Sequence, residues 1–294
     1  MKRFILCMLS LLLIGSAFTT LPLSAMAAES ADSEPASFKY DFPSDAAHVS
    51  LSLDGKQVLS GEAAIINDVT YVPLRSFSEL LGADSIEWNP KTFTATVKKG
   101  NTTITIGDRL HYIEASGRDF YFEEPVRNIS DRLFVPVRPI AKAFCVDVGW
   151  DNDSRTVLLK SSGDELVSGD RYYSADDVYW LSRIINAESG GEPLIGKIAV
   201  GNVVLNRKAS PYYPNSVYGV IFDRKGGTQF TPVATGTIYR KPTAESIMAA
   251  KICLEGYSVD GRILFFMNPA IATNNWISNN RPFAFRIANH AFYY

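Results

Sequence analysis

Residues 174–193 read SADDVYWLSRIINAESGGEP. Ser174 and Asp177 stand three apart at the front, an arrangement in which side-chain oxygens take up the free amides of a helix N-terminus. Val178, Leu181, Ile184 and Ile185 then recur at spacings of three and four, which predicts an amphipathic helix from Ser174 to Ala187. Glu188 falls three, four and seven residues past Ile185, Ile184 and Leu181, so a carboxylate occupies the next position of the apolar stripe. Gly190 and Gly191 end the helix. A carboxyl group held against apolar neighbours keeps its proton more readily, which is how a glutamate becomes a general acid near neutral pH. On position alone a second reading stands beside this one, a helix-end glutamate in water.

Downstream the period stays helical. Pro193, a favoured first-turn residue, opens a helix that runs through Ile195, Ile198, Ala199, Val203 and Val204 to about Arg207. A short helix is predicted over Ser216 to Phe222 with Asn215 as its cap, and another over Thr243 to Glu255, ended by Gly256. Ile263 to Phe266 reads as a strand, and the rest to Tyr294 is rich in Asn, Pro and aromatics. Gln229, Phe230 and Thr231 follow Gly226-Gly227 and read as a loop bordering a cleft.

Upstream the pattern is different. Lys2 and Arg3, an apolar run from Phe4 to Ile14, and Ser24-Ala25-Met26-Ala27-Ala28 read as a secretory signal over residues 1–27, cleaved after Ala27. No later segment approaches the roughly 20 apolar residues that a membrane span needs, so an integral membrane protein is not expected. Removing Lys2 and Arg3 leaves 27 basic against 31 acidic residues, which gives no footprint for nucleic acid. About 265 residues remain, enough for two domains. Cys145 and Cys253 sit in apolar contexts in different domains and read as two buried free thiols rather than a bridge. His48, His111 and His290 lie far apart, and no pair has metal-ligand spacing, so neither metal nor cofactor is expected.

Residues 28–46 are small, polar and acidic and read as a tether. From there to Ser162 short alternating segments (Val49 to Leu53, Phe93 to Val97, Thr102 to Ile106, Arg155 to Leu159) read as half-buried strands. This region repeats itself: Thr70-Tyr71-Val72-Pro73-Leu74-Arg75-Ser76-Phe77 returns 63 residues later as Leu133-Phe134-Val135-Pro136-Val137-Arg138-Pro139-Ile140. Each copy runs into a short amphipathic helix (Ser76 to Leu81, Pro139 to Phe144) and then a tryptophan turn, Trp88-Asn89-Pro90 or Trp150-Asp151-Asn152. Residues 163–171, rich in Gly, Ser and Asp, read as a linker to the domain at 172–294. The fold class expected is α+β, a strand-rich repeat module followed by a mainly α domain.

The Val-Pro-Leu/Val-Arg core and Trp turn, over residues 47–162, resemble the copper amine oxidase N-terminal domain-like family, a module of exported bacterial proteins. The resemblance implies a non-catalytic unit that either spaces its neighbour or holds it to the wall or to an envelope protein partner; no copper ligands accompany it.

In the second domain, RIINAESGGEPLIGKIAVGNVVLNRKASPYYPNSVYGVIFD, then TQFTPVATGTIYRKPT, FFMNPAIATNNWISNNRP and RIANHAFYY, resemble SleB/CwlJ-type cell-wall hydrolases, the spore-cortex-lytic family. This implies a lysozyme-like fold and a lytic transglycosylase secreted to the cell wall or spore envelope, acting on peptidoglycan glycan strands. Glu188 would be the catalytic acid and then base at the bond between N-acetylmuramic acid and N-acetylglucosamine. Substrate-binding candidates are Gln229, Phe230, Thr231, Tyr239, Asn268, Trp276, Asn289 and His290; beside that reading stand a core role for the aromatics, a loop-pinning role for Asn268 and Asn289, and a structural hydrogen-bonding role for His290. A two-carboxylate hydrolase would need a second acid roughly 5–9.5 Å away. Glu192, Asp223 and Glu245 are its candidates, with Glu192 and Glu245 also reading as helix caps. A wall-binding protein that keeps the groove without the chemistry is the remaining alternative.

Overall fold

In the computed structural model, which describes residues 38–294 apart from 226 and 228, the strands Val69–Pro73 and Arg132–Pro136 lie antiparallel with Val72 opposite Val135. These are the two copies of the repeated stretch, related by a pseudo-twofold axis through the Val72–Val135 pair, with Tyr71 opposite Pro136 and Pro73 opposite Phe134 on either side. Each strand ends at a proline, which cannot extend the ladder, and turns directly into a helix: α1 (Leu74–Leu80) and α2 (Val137–Ala143). Leu74 and Phe77 of one, Val137 and Ile140 of the other, are buried in a shared core. Ala47–His48, Ala64–Ile66 and Arg127–Ile129 complete a five-stranded sheet about the central pair.

The two copies exchange hairpins. Ser50–Leu53 and Lys56–Val58, from the start of the first copy, add to Val146–Asp151 and Thr156–Ser161 of the second, with Ser50–Leu53 parallel to Thr156–Ser161. Tyr112–Ala115 and Arg118–Tyr121, from the second copy, join Ser85–Asn89 and Thr94–Lys99 of the first through Thr102–Gly107. The alternation predicted for these strands is what fills the core: Leu51, Val97, Ile104, Ile106, Val157 and Leu159 all point inward. Phe93 and Arg155, read as strand starts, instead adopt left-handed backbone at φ 54° and 50° and close the turns before their strands. Asn89 and Asp151 organise those turns by accepting the amides of Lys91 and Asp153.

The signal segment 1–27 and residues 28–37 of the expected tether lie outside the described residues. Residues 38–46 are a correction. Phe38 stacks on His48 at 3.6 Å, and Tyr40 and Phe42 meet Phe134 edge-on at 5.2 and 5.1 Å, so this stretch covers the outer face of the five-stranded sheet. The reason is an aromatic at every second residue, the period of extended chain.

The predicted linker is polar, yet the domains are docked rather than loosely joined, and the described residues from 38 onward fall in one compact unit. α3 (Gly169–Tyr172) begins where Gly169 meets the backbone of Gly117 so closely that no Cβ would fit. Beside it Arg118 donates to both oxygens of Glu255 at 2.6 and 2.8 Å, and Lys142 and Tyr173 add bonds to the same carboxylate at 2.8 and 2.7 Å. Tyr121 and Tyr257 meet at 4.5 Å across the same junction.

The C-terminal domain is built on α4 (Ala175–Ser189), α5 (Leu194–Ala209) and, after the shorter α6 (Val217–Ile221) and α7 (Thr231–Thr235), α8 (Ala244–Leu254). Ser174 caps α4 through the Asp177 amide as predicted. The cap of α6 is Ser216, which accepts from Gly219, and not Asn215. α7, α9 (Trp276–Asn280) and the strands Phe283–Ile287 and His290–Tyr293 were not predicted; the last is the centre of a three-stranded sheet with Phe265–Met267. Among the described residues Cys145 and Cys253 are both free thiols, Cys253 buried as expected and Cys145 only half-buried.

α4, α5 and α8 cross at Gly201, where a Cβ would come within 2.7 Å of the Cys253 sulfur and 2.9 Å of Ile185 Cδ1. Gly201→Val forces those helices apart and is expected to cost about 3 kcal/mol or more, the upper range for overpacking. A denaturant midpoint equal to that of the parent would show that the crossing has slack.

Candidate active site

α4 delivers Glu188 in its last turn, on the stripe of Leu181, Ile184 and Ile185, all three fully buried. On the flank of that turn, Asn186 Oδ1 accepts from the Thr243 amide at 3.0 Å and the Ser246 hydroxyl at 3.2 Å, which fixes the end of α4 to the start of α8. Glu188 opens into a cleft of about 510 Å³. Burial pushes its carboxyl up to about 7, and the nearby Arg207 guanidinium pulls it partly back. A carboxyl titrating there holds a proton at neutral pH and can release it, the property a general acid needs.

The cleft brings together five of the eight binding candidates. Gln229, Phe230, Thr231, Asn268 and His290 line it with Glu188. Phe230 is 2% exposed and forms floor rather than a stacking platform. Gln229 Nε2 donates to the Lys225 carbonyl at 3.2 Å, and Asn268 Oδ1 accepts from the Ala270 amide at 3.0 Å, so both also hold their own turns. Tyr239, Trp276 and Asn289 lie off the cleft wall. Tyr239 is 61% exposed and sits against Trp180 at 6.3 Å in a surface aromatic cluster with Tyr218 and Phe222. Trp276 packs under the Arg281 guanidinium at 5.3 Å, while Ile277 beside it is the α9 residue that reaches the cleft.

Asn289 has a different role, and with it Glu192. The N-cap of α5 is Pro193, with no side-chain cap, so Glu192 does not cap that helix. Its carboxylate instead lines the cleft and accepts from the Asn289 amide nitrogen at 3.1 Å and side chain at 2.9 Å. Burial alone would raise Glu192, but the two Asn289 bonds, with His290 and Lys197 nearby, hold it below the ordinary carboxylate range. The cleft therefore contains two carboxyls pushed in opposite directions, one poised as an acid and one kept as a fixed charge. Glu245 is tied to the buried Lys197, which also donates to the Glu192 carbonyl, and Asp223 orients the Lys225 amide. His290 is buried with Nδ1 4.0 Å from Glu192, and burial pulls its pKa down despite that neighbour.

Arg207 lines the cleft too and is not among the residues expected from sequence. It stands in the last turn of α5, 5% exposed, with Nε donating to the Leu264 carbonyl at 2.7 Å and its guanidinium about equally near the rings of Tyr213, Phe230 and Phe265, at 5.2, 5.2 and 5.4 Å. Among the described residues its Nη1, buried at the cleft, has no hydrogen-bond partner. Because this cation lowers the Glu188 pKa, Arg207→Met is expected to move the Glu188 carboxyl titration above about 7. NMR titration of the labelled carboxyl carbon reads this directly; a downward or null shift would sink the assignment.

Comparison with known proteins bears on both domains. Residues 191–293 match the family described as Cell Wall Hydrolase, and residues 52–159 the Copper amine oxidase N-terminal domain. The first match begins just past Glu188. The spore cortex-lytic enzyme of Bacillus cereus is 38% identical over 120 residues, which cover 41% of this chain and 45% of the relative. That of Bacillus subtilis is 38% identical over 120 residues, covering 41% and 38%. The chain thus spans less than half the length of either relative. Among solved structures, the catalytic domain of the germination-specific lytic transglycosylase SleB from Bacillus anthracis is 36% identical, with 44% of this chain and 100% of that one covered and a TM-score of 0.39.

Proposed function

We propose, for a chain whose C-terminal part matches the cell wall hydrolase family and whose N-terminal part matches a copper amine oxidase N-terminal domain, that it is an exported enzyme cleaving peptidoglycan glycan strands as a lytic transglycosylase. One observation carries this reading: Glu188 sits in an open cleft with its pKa raised to about 7, beside a second carboxylate that Asn289 keeps engaged. Protonated Glu188 donates to the glycosidic oxygen as the bond from the N-acetylmuramic acid anomeric carbon breaks. The carboxylate left behind takes the proton of the same sugar's 6-hydroxyl, whose oxygen closes onto that carbon. The products are a 1,6-anhydro end and a free 4-hydroxyl end, and no water is consumed. Arg207 stabilises the carboxylate between the two proton transfers, and Gln229, Thr231 and Asn268 offer hydroxyl and amide partners to the sugar ring.

Glu192 favours one second reading, a hydrolase in which it serves as the base for a water molecule, since it also lines the cleft. Incubating the purified chain with peptidoglycan and analysing products by mass spectrometry separates the two. Anhydro-muropeptides support the transglycosylase; reducing ends alone transfer the assignment to Glu192-assisted hydrolysis; no product from any peptidoglycan overturns both. The cell wall or spore envelope is the proposed place of action, following from the charged and apolar N-terminal segment and the substrate.

A further inference from the structure

Two grooves on the N-terminal module are images of each other across the axis between Val72 and Val135. The first, about 220 Å³, is lined by Pro73, Arg75 and Trp88 of the first copy and by Asp131 and Leu133 of the second. The second, about 520 Å³, is lined by Pro136, Arg138 and Trp150 of the second copy and by Asp68 and Thr70 of the first. Every residue lining the first groove has its counterpart 62 or 63 positions away in the second, which Tyr121 and Phe122 line in addition. We propose that these are two equivalent saccharide-binding sites, each taking a disaccharide unit of the glycan that the C-terminal cleft cuts.

The fold itself does not need these tryptophans to face water. Trp88 is 47% and Trp150 41% exposed, although the strands that carry them pack Ile86 and Val146 against the core. In both copies a flat ring is left open at the same place. Beside each ring the groove supplies a guanidinium, from Arg75 or Arg138, and a carboxylate, from Asp131 or Asp68. Both aspartates stand in left-handed backbone, at φ 58° and 62°, and among the described residues neither forms a salt bridge. A sugar ring has a CH face that stacks on an aromatic and hydroxyls that both accept and donate, so a ring, a donor and an acceptor on one surface match it. Charge argues in the same direction. Arg138 balances Asp68 in one groove, and Arg75 and Arg132 balance Glu87 and Asp131 in the other, which fits a neutral glycan face better than a polyanion.

Two such sites on one rigid module, linked to the cutting domain, would hold a polymer by avidity. The identity of the glycan rests on the proposed function, but the binding does not require cleavage. The test is co-sedimentation of the full Glu188→Gln chain with purified peptidoglycan sacculi, before and after chemical removal of teichoic acids. The background binds equally to both preparations; Trp88→Ala or Trp150→Ala weakens binding about 10-fold and the double variant by about 10²-fold or more. Trp88→Phe with Trp150→Phe, which keeps a stacking face, restores most of it. Binding that is lost with the teichoic acids, or unchanged in the double alanine variant, overturns the proposal. A double phenylalanine variant as weak as the alanine one, while melting like the parent, overturns ring stacking. Cleavage of short soluble glycan by the Trp88→Ala, Trp150→Ala chain stays at the parent rate; if the parent itself cleaves nothing yet sediments in a Trp-dependent way, the grooves stand and the enzymatic reading falls.

Discussion

Glu188→Gln is expected to lower peptidoglycan cleavage by about 10²–10⁴-fold, the usual contribution of a positioned acid and base. The same variant should be more stable than the parent at high pH. The Glu188 carboxyl titrates near 7 in the folded chain against 4.5 for an ordinary glutamate, so the folded state holds this proton more tightly than the unfolded chain does. Below pH 4.5 both states keep it and nothing is lost. As pH rises towards 7 the unfolded chain releases the proton first, the folded state is progressively destabilised, and above 7 the full cost remains. At about 1.4 kcal/mol per unit, that cost is on the order of 3 kcal/mol at pH 8. Melting curves of the two proteins should therefore coincide at pH 4 and separate at pH 8, with the glutamine variant higher. In the parent, kcat/KM should fall as pH passes about 7 and the acid is lost. A variant that keeps a tenth of the parent rate, or that melts lower at pH 8, would remove Glu188 from its assigned role.

Glu255→Ala is expected to destabilise the chain by about 3–5 kcal/mol and to uncouple its two halves, because Arg118 would remain buried without its carboxylate. Burial by itself would raise the Glu255 pKa, but hydrogen bonds from Arg118, Lys142 and Tyr173 outweigh it and hold the pKa below the ordinary value. The stabilisation is accordingly present above the unfolded pKa of about 4.5 and is lost as pH falls through the lower, folded one. Calorimetry should show one transition for the parent at neutral pH and two for the variant, with residues 163–168 newly open to proteolysis. A single transition at the parent temperature would mean that the remaining contacts across the junction, among them Tyr121 with Tyr257 and Gly117 with Gly169, suffice to join the domains.

The position of Glu188 in the cleft was legible because the stripe it continues is local: Ile185, Ile184 and Leu181 lie three, four and seven residues back on one helix. Arg207 was not, because the rings that enclose it come from residues 213, 230 and 265, and a basic residue at a helix end has an ordinary explanation in the helix dipole. Glu192 and Asn289 are 97 residues apart, so the contact that turns Glu192 away from capping leaves no trace in spacing. Tyr239 and Trp276 show the reverse problem, since an aromatic within a motif looks the same whether it faces the cleft or the outer surface. The short α9, one turn in an Asn-rich stretch, has no periodicity to read. The repeat of the N-terminal module was plain from its 63-residue period, but not which sheet each hairpin would join.

That exchange of hairpins bears on how the chain comes into being. As it emerges from its N-terminus, the strand Ser50–Leu53 finds its parallel partner only when Thr156–Ser161 has followed, about a hundred residues later. Until then the first copy carries open edges and an uncovered apolar face, the condition in which nascent strands pair with the wrong neighbour. Birth of the module is therefore a single late event, and the interval before residue 161 arrives is when the protein most needs a chaperone.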